Sequence, residues 1–278
     1  MTAGDRAAVR SARRLVVKVG SSSISGENAG KIQAIVEALA AAHARGVEVV
    51  LVSSGAIATG MPFLELDERP SDLATQQAAA AVGQNILIYR YQEALRVFRV
   101  VAGQVLLTAG DLENPTHRSN ARRAMERLLG LRILPIVNEN DTVATHEIRF
   151  GDNDRLAALV ARLIGADALV LLSDIECLYT RPPSEPGAEP ISHVAFDDDL
   201  SGYEFGSVVV NSVGTGGAAT KVSAARLAAA SGVGVLVTSA DLVGDALAGA
   251  AIGTWFEPNP AGVAPVTGAV ETSPAGHG

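Results

Sequence analysis

The segment VNENDTVATHEIRFGDNDRLAALVARLIG, Val137 to Gly165, gathers Glu139, Asp141, Glu147, Asp152 and Asp154 beside Asn138, Asn140 and Asn153, then becomes largely apolar. Carboxylates and amides at a helix start cap free backbone N–H groups, which explains one of Asp152, Asn153 and Asp154. One cap does not need three residues. A turn after the preceding strand explains about two of Asn138, Glu139, Asn140 and Asp141. The surplus fits a pocket for a molecule with both an ammonium and a carboxylate, with acids for the first and amides or N–H groups for the second. GDNDRLA lacks the acid and glycine spacing of an EF-hand loop.

The lysines form a second pattern. Of the 22 basic residues 19 are arginine, and the three lysines are Lys18, Lys31 and Lys221. A compact ammonium differs chemically from a planar guanidinium, so the choice of lysine carries meaning. Lys18 stands inside the apolar run LVVKV, ahead of Gly20 and three serines. A buried lysine needs an anionic partner, and the backbone amides that follow it could face an anion. Lys221 closes the loop GTGGAATK, Gly214 to Lys221. Thr220 stands where a phosphate-binding P-loop requires its second glycine, so that motif is not met. Gly214, Gly216 and Ala219 satisfy the looser dinucleotide pattern, with Asp241 about 20 residues on, but too little chain follows to complete a Rossmann half. VSSGAIATG brings Ser53, Ser54 and Gly55 to the end of another apolar run, without the GxSxG of a nucleophile elbow.

The elements that must hold these loops read as alternating strands and helices. LVVKV, VEVVLV, VVAGQVLLT, RILPIV, ALVLLSD, SVVVNS and VGVLVTS have strand length. KIQAIVEALAAAHARG, the stretch from Ser71 to about Phe98, ARRAMERLLG, RLAALVARLIGA and VSAARLAAASG have helical length. The alternation predicts parallel strands buried on both faces, with ligands bound beyond their carboxyl ends. DLENPTHRSN reads as a turn-rich connection, TRPPSEPGAEPISHVAFDDDL as a Pro-rich acidic surface excursion, and HRSNARR as a helix start with a solvated basic face.

Composition sets the outer limits. With 278 residues, 48% of them apolar, and 28 glycines, the chain can bury a large core of aliphatic strands under alanine-rich helices. A formal charge of −8 argues against a general nucleic-acid or membrane-surface binder. Cys177 is the only cysteine, so no internal disulfide forms, and the histidines lack metal-site spacing. A cytoplasmic protein is expected.

Taken in order, these strings resemble the amino acid kinase family from about Leu15 to Glu257. VVKVGSSS is similar to its first-strand lysine loop, VSSGAIATG to its substrate loop, and AAVGQ with GQVLLT to the segment between. VNENDTVAT and FGDNDRLAALVA are the most specific matches, LLSDIECLYT resembles the nucleotide loop, and GTGGAATK the Gly-rich lysine loop. The resemblance implies an α/β fold, a three-layer αβα sandwich around a mainly parallel sheet. It divides the chain into an N-terminal extension over 1–14, a kinase domain over 15–257 and a disordered tail over 258–278, without the RNA-binding-like PUA domain that many bacterial members append.

In activity, the resemblance implies transfer of the γ-phosphoryl group of ATP, with Mg²⁺, to the γ-carboxylate of L-glutamate, which opens proline biosynthesis. Lys18 and Lys221 match the lysines that neutralise the moving phosphoryl group, and Asp154 the aspartate that orients them. Ser54, Asp141 and Asn153 match the glutamate-binding positions. Lys18, Ser173 and Asp174, with Thr215, Gly216, Gly217, Ala218, Ala219, Thr220 and Lys221, match the ATP contacts. A dimer or tetramer inhibited by proline is implied too. Three departures stand out: Ser173 for the usual threonine, Ala218 for a methionine, and Cys177 for a glycine that permits positive φ. Two alternatives remain, a relative with another acceptor and a non-catalytic nucleotide or amino-acid sensor. If the lysines act as compact charges on phosphoryl oxygens, Lys18→Arg should lose nearly as much turnover as Lys18→Ala. Steady-state rates of the two variants check this, and near-normal turnover of the arginine variant overturns it.

Overall fold

The computed structural model describes residues 6–144, 153–205 and 217–262. In chain order the elements are α1 (Ala7–Ser11), β1 (Arg14–Val19), α2 (Lys31–Ala44), β2 (Glu48–Ser53), α3 (Ala56–Gly60), α4 (Leu73–Arg96), β3 (Ala102–Leu107), α5 (Ala109–Glu113), α6 (Pro115–Gly130) and β4 (Leu134–Glu139). There follow α7 (Asn153–Ile164), β5 (Ala168–Ser173), β6 (Leu178–Tyr179), β7 (Pro190–Ile191), β8 (His193–Val194), α8 (Ala218–Ala230), β9 (Gly234–Ser239), α9 (Val243–Ala248) and β10 (Thr254–Phe256).

Among the described residues the main sheet runs β3-β4-β2-β1-β5-β9-β10-β8, and of these pairings only β9–β10 is antiparallel. Parallel neighbours need helical crossovers, which cover both faces. The expected three-layer αβα sandwich is present. Strand alternation divides the core. Leu15, Val17 and Val19 of β1 pack with α2, α4 and α9, whereas Val16 packs on the other face with residues of α6, α7 and α8. Lys18 has the parity of Val16, so its side chain belongs to the α7–α8 face.

Local chemistry explains the helices. In α2, Ile32, Ile35, Val36 and Leu39 follow helical spacing and are buried, and Gly46 at φ 94° just beyond the helix supplies the left-handed turn into β2. The turn-rich reading of DLENPTHRSN is corrected, because helix occupies it. Thr108 and Asp111 form a capping box at the start of α5, and Asn114 caps α6 with Pro115 in its first turn. These are helix-start signals, and proline there gives up an N–H that would lack a partner anyway. The Pro-rich excursion is also partly built into the core, since Ile191 and Val194 are buried and β8 joins the main sheet. SVVVNS lies outside the described residues.

Two glycines set how α3 and α4 cross. A Cβ on Gly83 would lie 1.8 Å from the Ala56 carbonyl oxygen, and one on Gly60 would lie 1.9 Å from that of Ala79. The two backbones touch, with Ala56, Ala79 and Ala80 packed around them. That contact anchors the loop leaving β2 against α4. Gly83→Ala should therefore destabilise the fold by about 2 kcal/mol or more, since neither backbone can yield cheaply. Gly130→Ala, where an added Cβ meets nothing within 4 Å, should be neutral or slightly stabilising. Denaturant melts of the two variants make the comparison.

Candidate active site

The carboxyl ends of the central strands line up on one edge of the sheet. Val19 pairs with Ser53 and Leu172, Ser173 with Ser239, and Leu106 and Leu107 with Asn138 and Glu139. The chain fills the β2 side of β1 first and then crosses to β5, so the strand order reverses beside β1. Such a reversal leaves a crevice where ligands bind in open α/β sheets.

Two lysines and an aspartate meet there. Asp154, in the first turn of α7, is 0% exposed. One of its carboxylate oxygens pairs with the Lys18 ammonium from β1, and the other accepts from Lys221 Nζ of α8 at 3.2 Å. Lys18 and Lys221 are themselves only 3% and 7% exposed. The partner demanded by a lysine inside an apolar strand is thus Asp154, 136 positions away in sequence and supplied by another layer. Two buried ammonium groups held at the end of a strand by one carboxylate suit an anionic ligand.

Beside this cluster runs a chain of amides. Asn153 Nδ2 donates to the Ser53 carbonyl at 2.7 Å and to Asn138 Oδ1 at 2.8 Å. Asn138 Oδ1 also accepts from the Glu139 N–H at 2.9 Å, and Asn138 Nδ2 donates to Gln84 Oε1 at 2.7 Å. Asn138, Glu139 and Asn153 are all buried. Asp141 lies half-buried in the loop after β4. That loop is tied to α4 by Gln77 Nε2, 3.3 Å from the Ala144 carbonyl, and to β3 by the Asn140 N–H, 2.9 Å from the Leu107 carbonyl.

On the β2 side, Ser54 is half-buried and its N–H donates to the Val19 carbonyl at 3.2 Å. Gly55 follows at φ 94°, where a side chain would be strained, and turns the chain into α3. Ser53 Oγ lies 3.0 Å from the hydroxyl of Tyr91, which is fully buried, and burial pushes that phenol well above its ordinary pKa. Beyond β5, the Ser173 hydroxyl donates to Asp174 Oδ1 at 2.9 Å, and Asp174 is exposed. The backbone at Cys177 is not left-handed, so this turn does not use the conformation that favours glycine, and burial pushes its thiol pKa up.

The Gly-rich loop departs from expectation in part. Ala218, Ala219, Thr220 and Lys221 are helical and belong to the first turns of α8. Gly217 caps that helix, and its N–H donates to Thr220 Oγ1 at 3.0 Å. The threonine that defeats a P-loop match therefore closes the helix start. Thr215 and Gly216 lie outside the described residues, as does Asp152. Sequence reasoning missed Gln84 and Tyr91. Each sits at an ordinary helical position, and only its tertiary partner distinguishes it.

Among the described residues no group of three or more acidic, histidine or cysteine side chains is arranged to hold a metal. Asp154 already carries two ammonium groups, so it is not an open metal ligand. A Mg²⁺ ion would therefore have to come with an anionic ligand, the usual arrangement for a hard cation that keeps most of its water.

A buried lysine pair held by one carboxylate, facing a crevice at the strand ends, describes a protein that handles phosphoryl or other anionic groups. The family model described as the amino acid kinase family matches residues 13–239, and the chain belongs to that family. It is 73% identical over 258 residues to the glutamate 5-kinase of Clavibacter sepedonicus, covering 93% of this chain and 99% of that protein. It is 72% identical over 258 residues to the glutamate 5-kinase of Leifsonia xyli subsp. xyli, covering 93% of this chain and 96% of that protein. It is 55% identical to that of Salinispora arenicola over 91% of this chain and 69% of that protein. The solved carbamate kinase from Giardia lamblia shares the fold, with a TM-score of 0.65 at 17% identity over 90% of this chain and all of that one.

Removing the shared charge should be severe. Asp154→Asn removes the carboxylate that two buried ammoniums share and should destabilise the protein by roughly 3–5 kcal/mol. Lys221→Ala removes one cation while Lys18 keeps its partner, so it should remain folded and lose turnover. Denaturant melts together with rate measurements separate the two outcomes.

Proposed function

We propose that the chain is a glutamate 5-kinase, transferring the γ-phosphoryl group of ATP to the γ-carboxylate of L-glutamate to give γ-glutamyl phosphate and ADP. The observation that carries this reading is the Lys18–Asp154–Lys221 cluster placed beside the Asn153–Asn138 amide chain. One set of groups suits phosphate, the adjacent one suits an amino acid. The 73% identity to a protein of that activity supports the same conclusion.

In this reaction a γ-carboxylate oxygen forms a bond to the γ-phosphorus, and the bond from that phosphorus to the oxygen bridging it to the β-phosphate breaks. ADP leaves with the electron pair. A carboxylate with a pKa of about 4 is already ionised at neutral pH, so no general base is needed. The obstacle is repulsion between two anionic reactants, and the protein's task is positioning and charge neutralisation. Lys18 and Lys221 supply the positive charge on the phosphoryl oxygens, and Asp154 keeps both ammoniums on one site. Ser54, Asp141 and Asn153 bind glutamate. Ser173, Asp174 and the segment from Thr215 to Lys221 contact ATP, with Gly217 and the first turn of α8 offering N–H groups to phosphate. When bound with ATP, Mg²⁺ withdraws charge from the phosphate oxygens.

Within this reading the reaction opens proline biosynthesis in the cytoplasm. Proline feedback and assembly as a dimer or tetramer belong to the same reading. No helix among the described residues is long and apolar enough to cross a membrane.

Hydroxylamine trapping with Mg-ATP and a panel of L-glutamate, N-acetylglutamate, aspartate and no acceptor tests the activity, alongside ADP release. Glutamyl hydroxamate should form with L-glutamate alone. ADP release without glutamate dependence would assign another acceptor. Ligand binding without turnover would make the protein a sensor.

A further inference from the structure

The amide chain has a direction, and that direction is fixed by backbone groups. A main-chain N–H can only donate, so Asn138 must turn Oδ1 toward the Glu139 N–H. A main-chain carbonyl can only accept, so Asn153 must turn Nδ2 toward the Ser53 carbonyl. With both ends of Asn138 thereby assigned, its Nδ2 donates outward and Gln84 receives that bond on Oε1. Rotating any of the three carboxamides would set donor against donor or acceptor against acceptor.

Two groups remain for a ligand. Both hydrogens of Asn153 Nδ2 are used, which leaves Oδ1, and among the described residues that oxygen accepts no hydrogen bond. Oδ1 is an acceptor and suits an ammonium. At the other end, nothing among the described residues accepts from Gln84 Nε2. That group is a donor and suits a carboxylate. Gln84 is only half-buried, so its amide is within reach of solvent and ligand.

The placement agrees with the polarity. Gln77 and Gln84 lie two turns apart on α4 and bond to the Ala144 carbonyl and to Asn138, which stand on either side of Asp141 in the sequence. Gln84 therefore stands beside the candidate amino-acid pocket, on the side away from the lysine cluster, because Asn138 and Asn153 lie between it and Asp154. A γ-carboxylate directed at the lysines leaves the α-carboxylate as the group for Gln84 to meet.

We propose that Gln84 determines acceptor specificity, donating from Nε2 to the α-carboxylate of the amino acid while the amide chain presents Asn153 Oδ1 to the α-ammonium. This rests on the glutamate 5-kinase reading and adds a residue to it. Gln84→Glu keeps an acceptor for Asn138 Nδ2 but replaces the donor with a negative oxygen. Gln84→Met keeps the length without a donor.

The test compares L-glutamate with its α-amide, L-isoglutamine, which keeps the γ-carboxylate and ammonium and loses the α charge. ADP release gives kcat and KM for each acceptor in the wild type and both variants. In Q84E the KM for L-glutamate should rise about ten- to a hundredfold, the range for losing a hydrogen bond to a charged group, with kcat and the KM for ATP changed by less than about twofold. The kcat/KM preference for L-glutamate over the α-amide should fall by a similar factor in Q84E, and less in Q84M. An unchanged preference ratio, or parallel losses in kcat and in the KM for ATP, would show that Gln84 only supports the fold. A wild-type protein inactive on L-glutamate would overturn the activity reading itself, whereas an active wild type with an unaltered Q84E would overturn this inference alone.

Discussion

The ion cluster of Lys18, Asp154 and Lys221 is the constraint on which the rest of the site depends. Each member is buried and each comes from a different element, β1, α7 and α8. Three charges in so dry a place are tolerable only if the strand and both helices meet in one register, because any one charge left alone would carry a large desolvation cost. The cluster thus couples the packing of the helical layer to the electrostatics of the crevice. It also explains two of the three lysines in a chain otherwise supplied with arginine. Two ammonium groups can share one carboxylate and still turn charge toward a ligand, which a planar fork does less readily.

The remaining site features follow from having the strand ends on one edge. Because β2, β1, β5 and β4 are parallel, their carboxyl ends bring Ser54, Gly20, Ser173 and Asn138 to the same side of the sheet. The close approach of α3 and α4 at Gly60 and Gly83 then brings α4 over the loop that follows β4. Two chemically distinct subsites result, a cationic one between α7 and α8 and an amide-lined one between α4 and β4. Their adjacency is what phosphoryl transfer to a carboxylate requires: a place for charge neutralisation and a separate place to read the acceptor.

Much of this was legible in the sequence. Apolar runs of strand length alternating with helical segments specify a mainly parallel sheet, since strands buried on both faces cannot show alternation. Lys18 in such a run announces a buried partner, and the excess of acids and amides after Val137 announces a pocket. Helix starts are less legible. Asn114-Pro115 looks like a turn until a helix is seen to start there, and the first turn of α8 looks like loop because glycines precede it. Both are helix starts, where the residues that cap backbone N–H groups are also those that favour turns.

Local composition therefore determined the class of fold, the strands whose ends could bind a ligand, and the residue types available for chemistry, because these depend on periodicity and on the desolvation of single groups. Tertiary structure alone decided that Asp154 joins both lysines, that Asn153 spends its amide hydrogens on Ser53 and Asn138, and that Gln84 ends the amide chain. Ion pairing and hydrogen-bond polarity are properties of groups brought together from distant positions, and no local pattern encodes which acceptor a donor will meet.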